Sequence, residues 1–290
     1  MTNYQIILRT LLALLAFAGN SLLCRLALKT TQIDAASFTT IRMLSATAML
    51  GIILAARREP RASLGDWPSA LALFGYAAAF SLAYVNLSAG AGALLLFGSV
   101  QMTMIGAGFL SGERFNANQV SGFVLAVAGL VWLVLPGLAA PPAASAALMI
   151  AAGVAWGIYS LRGRGAVDPL AVTAGNFLRT LPMTAVFSAI MSMTFHLDMP
   201  GAIFSIASGA VTSGIGYAIW YSVLPSLNAT QAATVQLSVP VIAATGAILV
   251  LGEALSLRLI VASCAILLGI GLITLNKRKS EKSSTGKIYK

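Results

Sequence analysis

Polar residues in this chain come in short clusters, and the stretches between them stay apolar for about twenty residues at a time. That is the length an α-helix needs to cross a bilayer at 1.5 Å rise per residue. The pattern predicts ten helical spans, at 5–28, 35–56, 67–86, 88–110, 118–135, 143–161, 169–195, 201–224, 229–251 and 257–275. The breaks carry turn and cap residues, at 57–66, 86–88, 112–116, 136–142, 163–169, 196–200 and 225–228. The first run continues into a basic end and has no small-residue cleavage site after it, so it reads as a helix and not as a signal peptide. Residues 277–290 are rich in Lys and Ser, lack apolar periodicity and read as a disordered basic tail.

The apolar pattern repeats. Residues 230–275 echo 90–135 at a shift of 140, with Gly252-Glu253 over Gly112-Glu113, Gly246 over Gly106 and Gly269 over Gly129. Earlier in each half the shift is 137, which sets Arg162 over Arg25 and Arg179 over Arg42. Two weakly similar sets of membrane helices are a sequence sign of a transporter with internal repeats. The halves, 1–136 and 137–276, hold five spans each. An odd number makes the second half enter from the opposite side, so the repeat is expected to be inverted.

Composition strengthens this picture. The chain is 58% hydrophobic and 9% charged, where a soluble domain averages about 25% charged. Windows 67–112, 115–161 and 199–252 carry no charge at all. A net charge of +10 invites a nucleic-acid reading, but Lys and Arg collect in the cytoplasmic loops of membrane proteins. With the N-terminus inside, twelve basic residues fall on the cytoplasmic side and three on the other, Arg25, Lys29 and Arg258. Both termini are therefore expected in the cytoplasm of a bacterial inner-membrane protein. Cys24 and Cys264 lie within spans and read as small packing residues.

Trp156-Gly157 in the sixth span, Arg42 and Arg179 in the second and seventh, and the two Gly-Glu pairs closing the fourth and ninth give the chain a family likeness. It resembles the drug/metabolite transporter superfamily, in the branch of bacterial metabolite exporters, and looks most like the aromatic amino-acid exporters. The resemblance covers about residues 5–276. It departs at Ala18-Gly19, where the family often has Trp-Gly, and at Val100, which stands where the ninth span has Pro240. It implies a central cavity lined by the first, third, fourth, sixth, eighth and ninth spans.

Transport chemistry has to come from side chains inside the membrane. All eight acids fall at span ends or in loops, as does the single histidine, His196, so no intramembrane carboxylate relay is expected. Tyr76, Phe80 and Tyr84 recur every four residues and share a helix face, as do Trp156, Tyr159 and Ser160, and Tyr217, Trp220 and Tyr221. Tyr84 and Tyr221 lie near span ends, where interfacial aromatic residues also collect. Asn20, Gln101 and Gln236 are amides in mid-span, with Ser238 beside the last. These residues predict an uncharged cavity with stacking surfaces, suited to a zwitterion with an apolar side chain. Pro240 frees the Gln236 carbonyl and is expected to be a hinge; Pro182 is expected to be a static bend. Glycines of the fourth span read as close-contact positions. Arg42 and Arg179 cost about 2.5–3.5 kcal/mol each at mid-membrane and are both expected to cap carbonyls or reach a headgroup, with anion binding as the competing reading.

The phosphate-binding loop Gly-x-x-x-x-Gly-Lys-Ser/Thr, His-Glu-x-x-His and Cys-x-x-Cys are absent from the sequence. The expected protein is thus an all-α, ten-span, five-plus-five inverted repeat and not an enzyme. It would export neutral amino acids or similar metabolites by alternating access, as a facilitator without cofactor. Its partners would be a small-molecule substrate and membrane lipid, with no nucleic acid, as a monomer or homodimer. Carriers of drugs, sugar nucleotides or organic anions, and a membrane sensor, are the competing readings.

Overall fold

Every described element is helical. The structure, a computed structural model, describes residues 2–57, 64–112, 116–137, 140–227 and 229–288, without the side chains of 229, 230, 233 and 275–288. Seven spans come first: α1 (Asn3–Thr30), α2 (Ala35–Ala56), α3 (Trp67–Tyr84), α4 (Ala89–Leu110), α5 (Ala117–Val134), α6 (Ala143–Arg162) and α7 (Pro169–Ile190). The eighth consists of α8 (Met199–Ile206), a π-helical stretch (Ala207–Ile215) and α9 (Gly216–Val223). The ninth is α10 (Ala229–Gln236) followed by α11 (Ser238–Leu251), and the tenth is α12 (Leu257–Ile288).

Among the described residues, eight of the ten spans are long and apolar enough to cross a membrane; the more polar α3 packs on α6, α7 and α2, and α7 on α2 and α3. Large apolar side chains face outward in stripes. Ile7, Leu11 and Leu15 are exposed along one face of α1, and Val120, Val124, Val127 and Val131 along one face of α5. Water does not tolerate that much contiguous apolar surface, whereas lipid does. This is a multi-pass membrane protein.

Aspartate starts four of the helices. Asp34, Asp66, Asp168 and Asp198 accept N–H bonds from Ala36 and Ser37, Ser69, Ala171 and Gly201 respectively. An N-cap carboxylate satisfies amides that have no partner within the helix and meets the positive end of the dipole. Burial pushes the Asp34 carboxyl up. The Ser37 hydroxyl and the N–H groups of His196, Ser37 and Ala36 outweigh it, so its pKa lies below the usual carboxylate value. Glu253 forms an ion pair. Glu59 and Glu113 lie outside the described residues, as does the side chain of Glu281.

Helices from the two halves interleave: α3 and α4 pack on α6, α2 on α7 and the π stretch, α1 and α4 on α11, and α5 on α12. Gly122 and Gly269 let α5 and α12 touch backbone to backbone; a Cβ on either would sit about 2.6 Å or less from the other's carbonyl oxygen. In α4, Gly90, Gly92 and Gly98 face close neighbours, while Gly106 faces open space and so is not a contact position.

Several sequence expectations change. The seventh span ends at Ile190, not 195, and a 3₁₀ turn (Ser192–Thr194) follows. The eighth is not a uniform α-helix. In its π stretch the Ser213 hydroxyl bonds the Ser208 carbonyl five residues back. The backbone of α12 is helical past the apolar run, where a disordered tail was expected; no Pro or Gly interrupts it between 272 and 285.

Candidate functional site

Contacts define two ends of the bundle. At one, which we call the Arg25 end, α1 meets the turn after α11, Asp34 meets His196, and Gln32 meets Asp198. At the other, the Arg162 end, Arg162 pairs with Asp66 at 2.9 Å and Arg57 with Asp168 at 3.8 Å. Both pairs at the Arg162 end are partly exposed and contribute little stability.

A cavity of about 840 Å³ runs from mid-bundle to the turns at 163–166 and 224–225 of the Arg162 end. That is within the size range of small-molecule sites, about 300–1,000 Å³. One wall is a continuous run of aromatic rings. Tyr76 lies 4.5 Å from Trp156, Trp156 is stacked on Tyr217 at 5.6 Å, and Tyr217 is stacked on Tyr221 at 5.9 Å. Phe17 braces it, tilted at 5.7 Å from Tyr217 and edge-on at 5.8 Å from Trp220. The wall draws on α3, α6 and α9, so it exists only in the folded bundle.

Polar groups thread this wall. The Tyr159 hydroxyl donates to Thr173 Oγ1 at 3.1 Å, which donates to the Tyr221 hydroxyl at 3.0 Å. Deeper in, Ser208 Oγ of the π stretch donates to Asn20 Oδ1 at 2.7 Å. Asn20 Nδ2 then donates to the Tyr76 hydroxyl at 3.1 Å, and Arg42 Nη2 donates to the same oxygen at 2.9 Å. A buried hydrogen-bond network of this kind fixes its members in place.

Eight of the eleven residues predicted to meet substrate line this cavity: Asn20, Tyr76, Gln101, Trp156, Tyr159, Tyr217, Trp220 and Gln236. Phe80, Tyr84 and Ser238 do not. Phe80 and Tyr84 are completely buried. Phe80 packs between Tyr76 and Tyr84, 5.4 and 4.7 Å from them. Tyr84 donates to the Ala89 carbonyl at 3.4 Å, so it is neither a lining nor an interfacial residue. Eight residues of helix separate Tyr84 from Tyr76, about 12 Å along the axis. A shared face therefore leads from the cavity into the packed Arg25 end. Ser238 Oγ caps the Val235 carbonyl at 2.6 Å, just past a break in the ninth span at Leu237. Pro240, whose missing N–H leaves Gln236 without its helical donor, lies three residues beyond that break. Pro182 sits within an unbroken α7.

The largest correction concerns Arg42. It and Arg179 occupy equivalent positions in the repeat, but only Arg179 caps carbonyls, those of Leu64 and Gly175. Arg42 is 2% exposed. It lines the cavity, and its Nε and Nη1 have no hydrogen-bond partner. The Tyr76 and Phe80 rings lie 5.3 and 5.0 Å from its guanidinium carbon, within cation–π range. The cavity is thus not uncharged. Arg164, at its mouth, adds a second cation, and among the described residues the lining contains no acidic one. Besides Arg42, the sequence reading missed Thr173, Thr212 and Ser213 as lining residues. Small hydroxyl residues leave no aromatic or amide signal in an apolar run.

The Arg25 end is sealed. Gly252 turns left-handed (φ 63°) and the Glu253 N–H closes back on the Ala247 carbonyl. This turn sends Glu253 across to the first half, where Arg25 Nε lies 3.2 Å from one carboxylate oxygen and the Ala89 N–H 2.8 Å from the other. Arg25 Nη1 also holds the Tyr84 and Val85 carbonyls, each at 2.9 Å. Both members of the pair are largely buried.

A ten-span helical bundle that closes at one end and opens at the other through a ligand-sized cavity has the architecture of a membrane carrier. The family model of the EamA-like transporter family matches this chain twice, at 5–135 and 144–275, and the chain belongs to that family. An uncharacterised protein of Pseudomonas aeruginosa is 55% identical over 278 residues, covering 94% of this chain and 96% of its own length. A protein of Archaeoglobus fulgidus described as an uncharacterised transporter is 26% identical over 212 residues, 70% of this chain and 75% of its own. A crystal structure shares the fold at TM-score 0.65 and 21% identity, covering 94% of this chain and 98% of that one. The protein is a multi-pass membrane transporter of small substrates.

Proposed function

We propose that this protein exports neutral amino acids, aromatic and other apolar ones, or similar small metabolites, across the bacterial inner membrane. The observation that carries the reading is the aromatic wall from Tyr76 through Trp156 and Tyr217 to Tyr221, which offers flat apolar surface next to hydroxyl and amide groups. The basic-residue count favours a cytoplasmic Arg162 end. The mouth then faces the compartment from which an exporter loads. With Asp34, Asp66, Asp168 and Asp198 all used as helix caps, no carboxylate among the described residues serves a proton relay in the cavity. This favours a facilitator.

Alternating access needs the two ends to open in turn. An inverted five-plus-five repeat is supported by the repeat-equivalent Arg25 and Arg162 lying at opposite ends, each in an ion pair. We assign the hinge to the break at Leu237 and Pro240. Pro240→Ala restores the missing donor and is expected to slow transport severalfold while expression and thermal stability stay near wild type. Equal loss of transport and expression would make the break a packing feature.

The two cavity arginines favour one further reading, an organic-anion carrier of the same fold. Flux into proteoliposomes of labelled phenylalanine, threonine and an organic cation tests the class. Phenylalanine or threonine is expected to move. Movement of the cation alone would refute the assignment.

A further inference from the structure

Arg42 poses a physical problem that the fold alone does not solve. Its side chain is a cation, it is 2% exposed, and among the described residues the cavity lining supplies no carboxylate to balance it. Burying a cation without a counter-ion is costly. The Tyr76 and Phe80 rings offset only part of that cost. Three donor positions also converge here without an acceptor. Arg42 Nε and Nη1 are unpartnered, and the Tyr76 hydroxyl, which accepts from both Asn20 and Arg42, keeps its own proton to give. Among the described residues no hydrogen bond uses that proton. Donors in excess beside a fixed positive charge specify an anion.

We infer that the transported molecule carries a carboxylate and that Arg42, with the Tyr76 hydroxyl, receives it at the closed floor of the cavity. This rests on the reading above that the cavity is the substrate site, and narrows it. The recognised class is a small carboxylate with an apolar or aromatic body, which lies along the wall from Trp156 to Tyr221. An α-ammonium group is tolerated but not required, because the site holds only neutral acceptors for it. Amines lacking the carboxylate are excluded by Arg42 and Arg164. Comparison of Arg42 with the equivalent arginine of the other half favours this role. Its counterpart Arg179 spends its donors on backbone carbonyls, whereas Arg42 bonds only a side chain that itself lines the cavity.

The test compares isosteres on purified full-length protein by calorimetry, using 3-phenylpropanoate, 3-phenylpropanamide, L-phenylalanine and 2-phenylethylamine. The two carboxylates are expected to bind about tenfold or more tighter than the amide and the amine, as a charged hydrogen bond implies. In Arg42→Gln the preference for 3-phenylpropanoate over its amide is expected to vanish, and Arg42→Lys to retain part of it. If the glutamine variant does not fold, the wild-type ratio and the lysine variant decide. Equal binding of acid and amide by the wild type overturns the role of Arg42 while leaving the cavity as an aromatic substrate site. A preference that survives in Arg42→Gln overturns it too. Binding of none of the four, or of the amine alone, overturns the substrate reading and this inference with it.

Discussion

Glu253→Gln is expected to unseal the Arg25 end. The substitution keeps the shape of the side chain and the acceptor for the Ala89 N–H, but removes the charge that faces Arg25 at 3.2 Å. Breaking a fully buried ion pair costs about 3–5 kcal/mol. This pair retains 14% and 11% side-chain exposure, so a cost of about 2 kcal/mol is reasonable, or roughly thirtyfold in the balance between closed and open. The cost falls on the closed state because the pair joins the α11–α12 turn to α1 and to the first turn of α4, and these separate when the end opens. The readout is a cysteine at Ala247, 2% exposed beside this turn, in a background lacking Cys24 and Cys264. Its labelling by a water-soluble maleimide is expected to rise by about thirtyfold in the Glu253→Gln background. Unchanged labelling would mean that the pair is surface decoration.

Gly209→Ala is expected to abolish folding. Gly209 lies in the π stretch where the eighth span presses on α2. An added Cβ would sit 2.1 Å from the Arg42 carbonyl oxygen and 2.0 Å from Ser45 Oγ. The serine can rotate away, but the carbonyl belongs to the α2 backbone and cannot. Overpacking costs about 1–3 kcal/mol where side chains yield, and more where backbone must move. With the backbone forced to move, the cost exceeds that range and approaches the lower end of ordinary folding stability, about 5 kcal/mol, so most of the folded yield is lost. Gly106→Ala is the control, since nothing lies within 4 Å of that position and alanine favours helix by about 1 kcal/mol. Its yield and melting temperature are expected to stay at or slightly above wild type. A Gly209→Ala protein that elutes and melts like wild type would show that the eighth span does not seat on α2 as described.

The ten spans were legible because apolar runs near twenty residues have one stable solution in lipid. The acids were legible as span-end or loop residues, but the capping role of Asp34, Asp66, Asp168 and Asp198 emerged only from the folded chain. The aromatic wall was legible in part. Spacing of four put Tyr76, Phe80 and Tyr84 on one face, and that face does bury together, but periodicity carries no depth. Only Tyr76 reaches the cavity, because Phe80 and Tyr84 climb toward the sealed end. The π stretch left no trace, since Ala207 to Ile215 reads as an ordinary small-residue run. Its consequence is the placement of Ser208 against Asn20, a contact between residues 188 apart in sequence. Arg42 and Arg179 were indistinguishable for a related reason. The repeat makes them equivalent, and only the tertiary neighbours, a backbone turn at Leu64 for one and Tyr76 for the other, separate a cap from a cavity cation. The Gly-Glu motif was visible as a pattern but not as a mechanism. Its glycine ends the helix left-handed, and that turn is what carries the glutamate to Arg25.

The account stands on the two ends opening in alternation around one cavity, and locking the sealed end tests this most directly. Arg25 and Glu253 are replaced by cysteine together, in a background lacking Cys24 and Cys264, and joined by a short bifunctional thiosulfonate in proteoliposomes. The account predicts that flux of a transported substrate stops on cross-linking and returns to its starting rate on reduction, while substrate still binds the locked protein from the Arg162 end. Flux that continues undiminished through the cross-linked protein would contradict it.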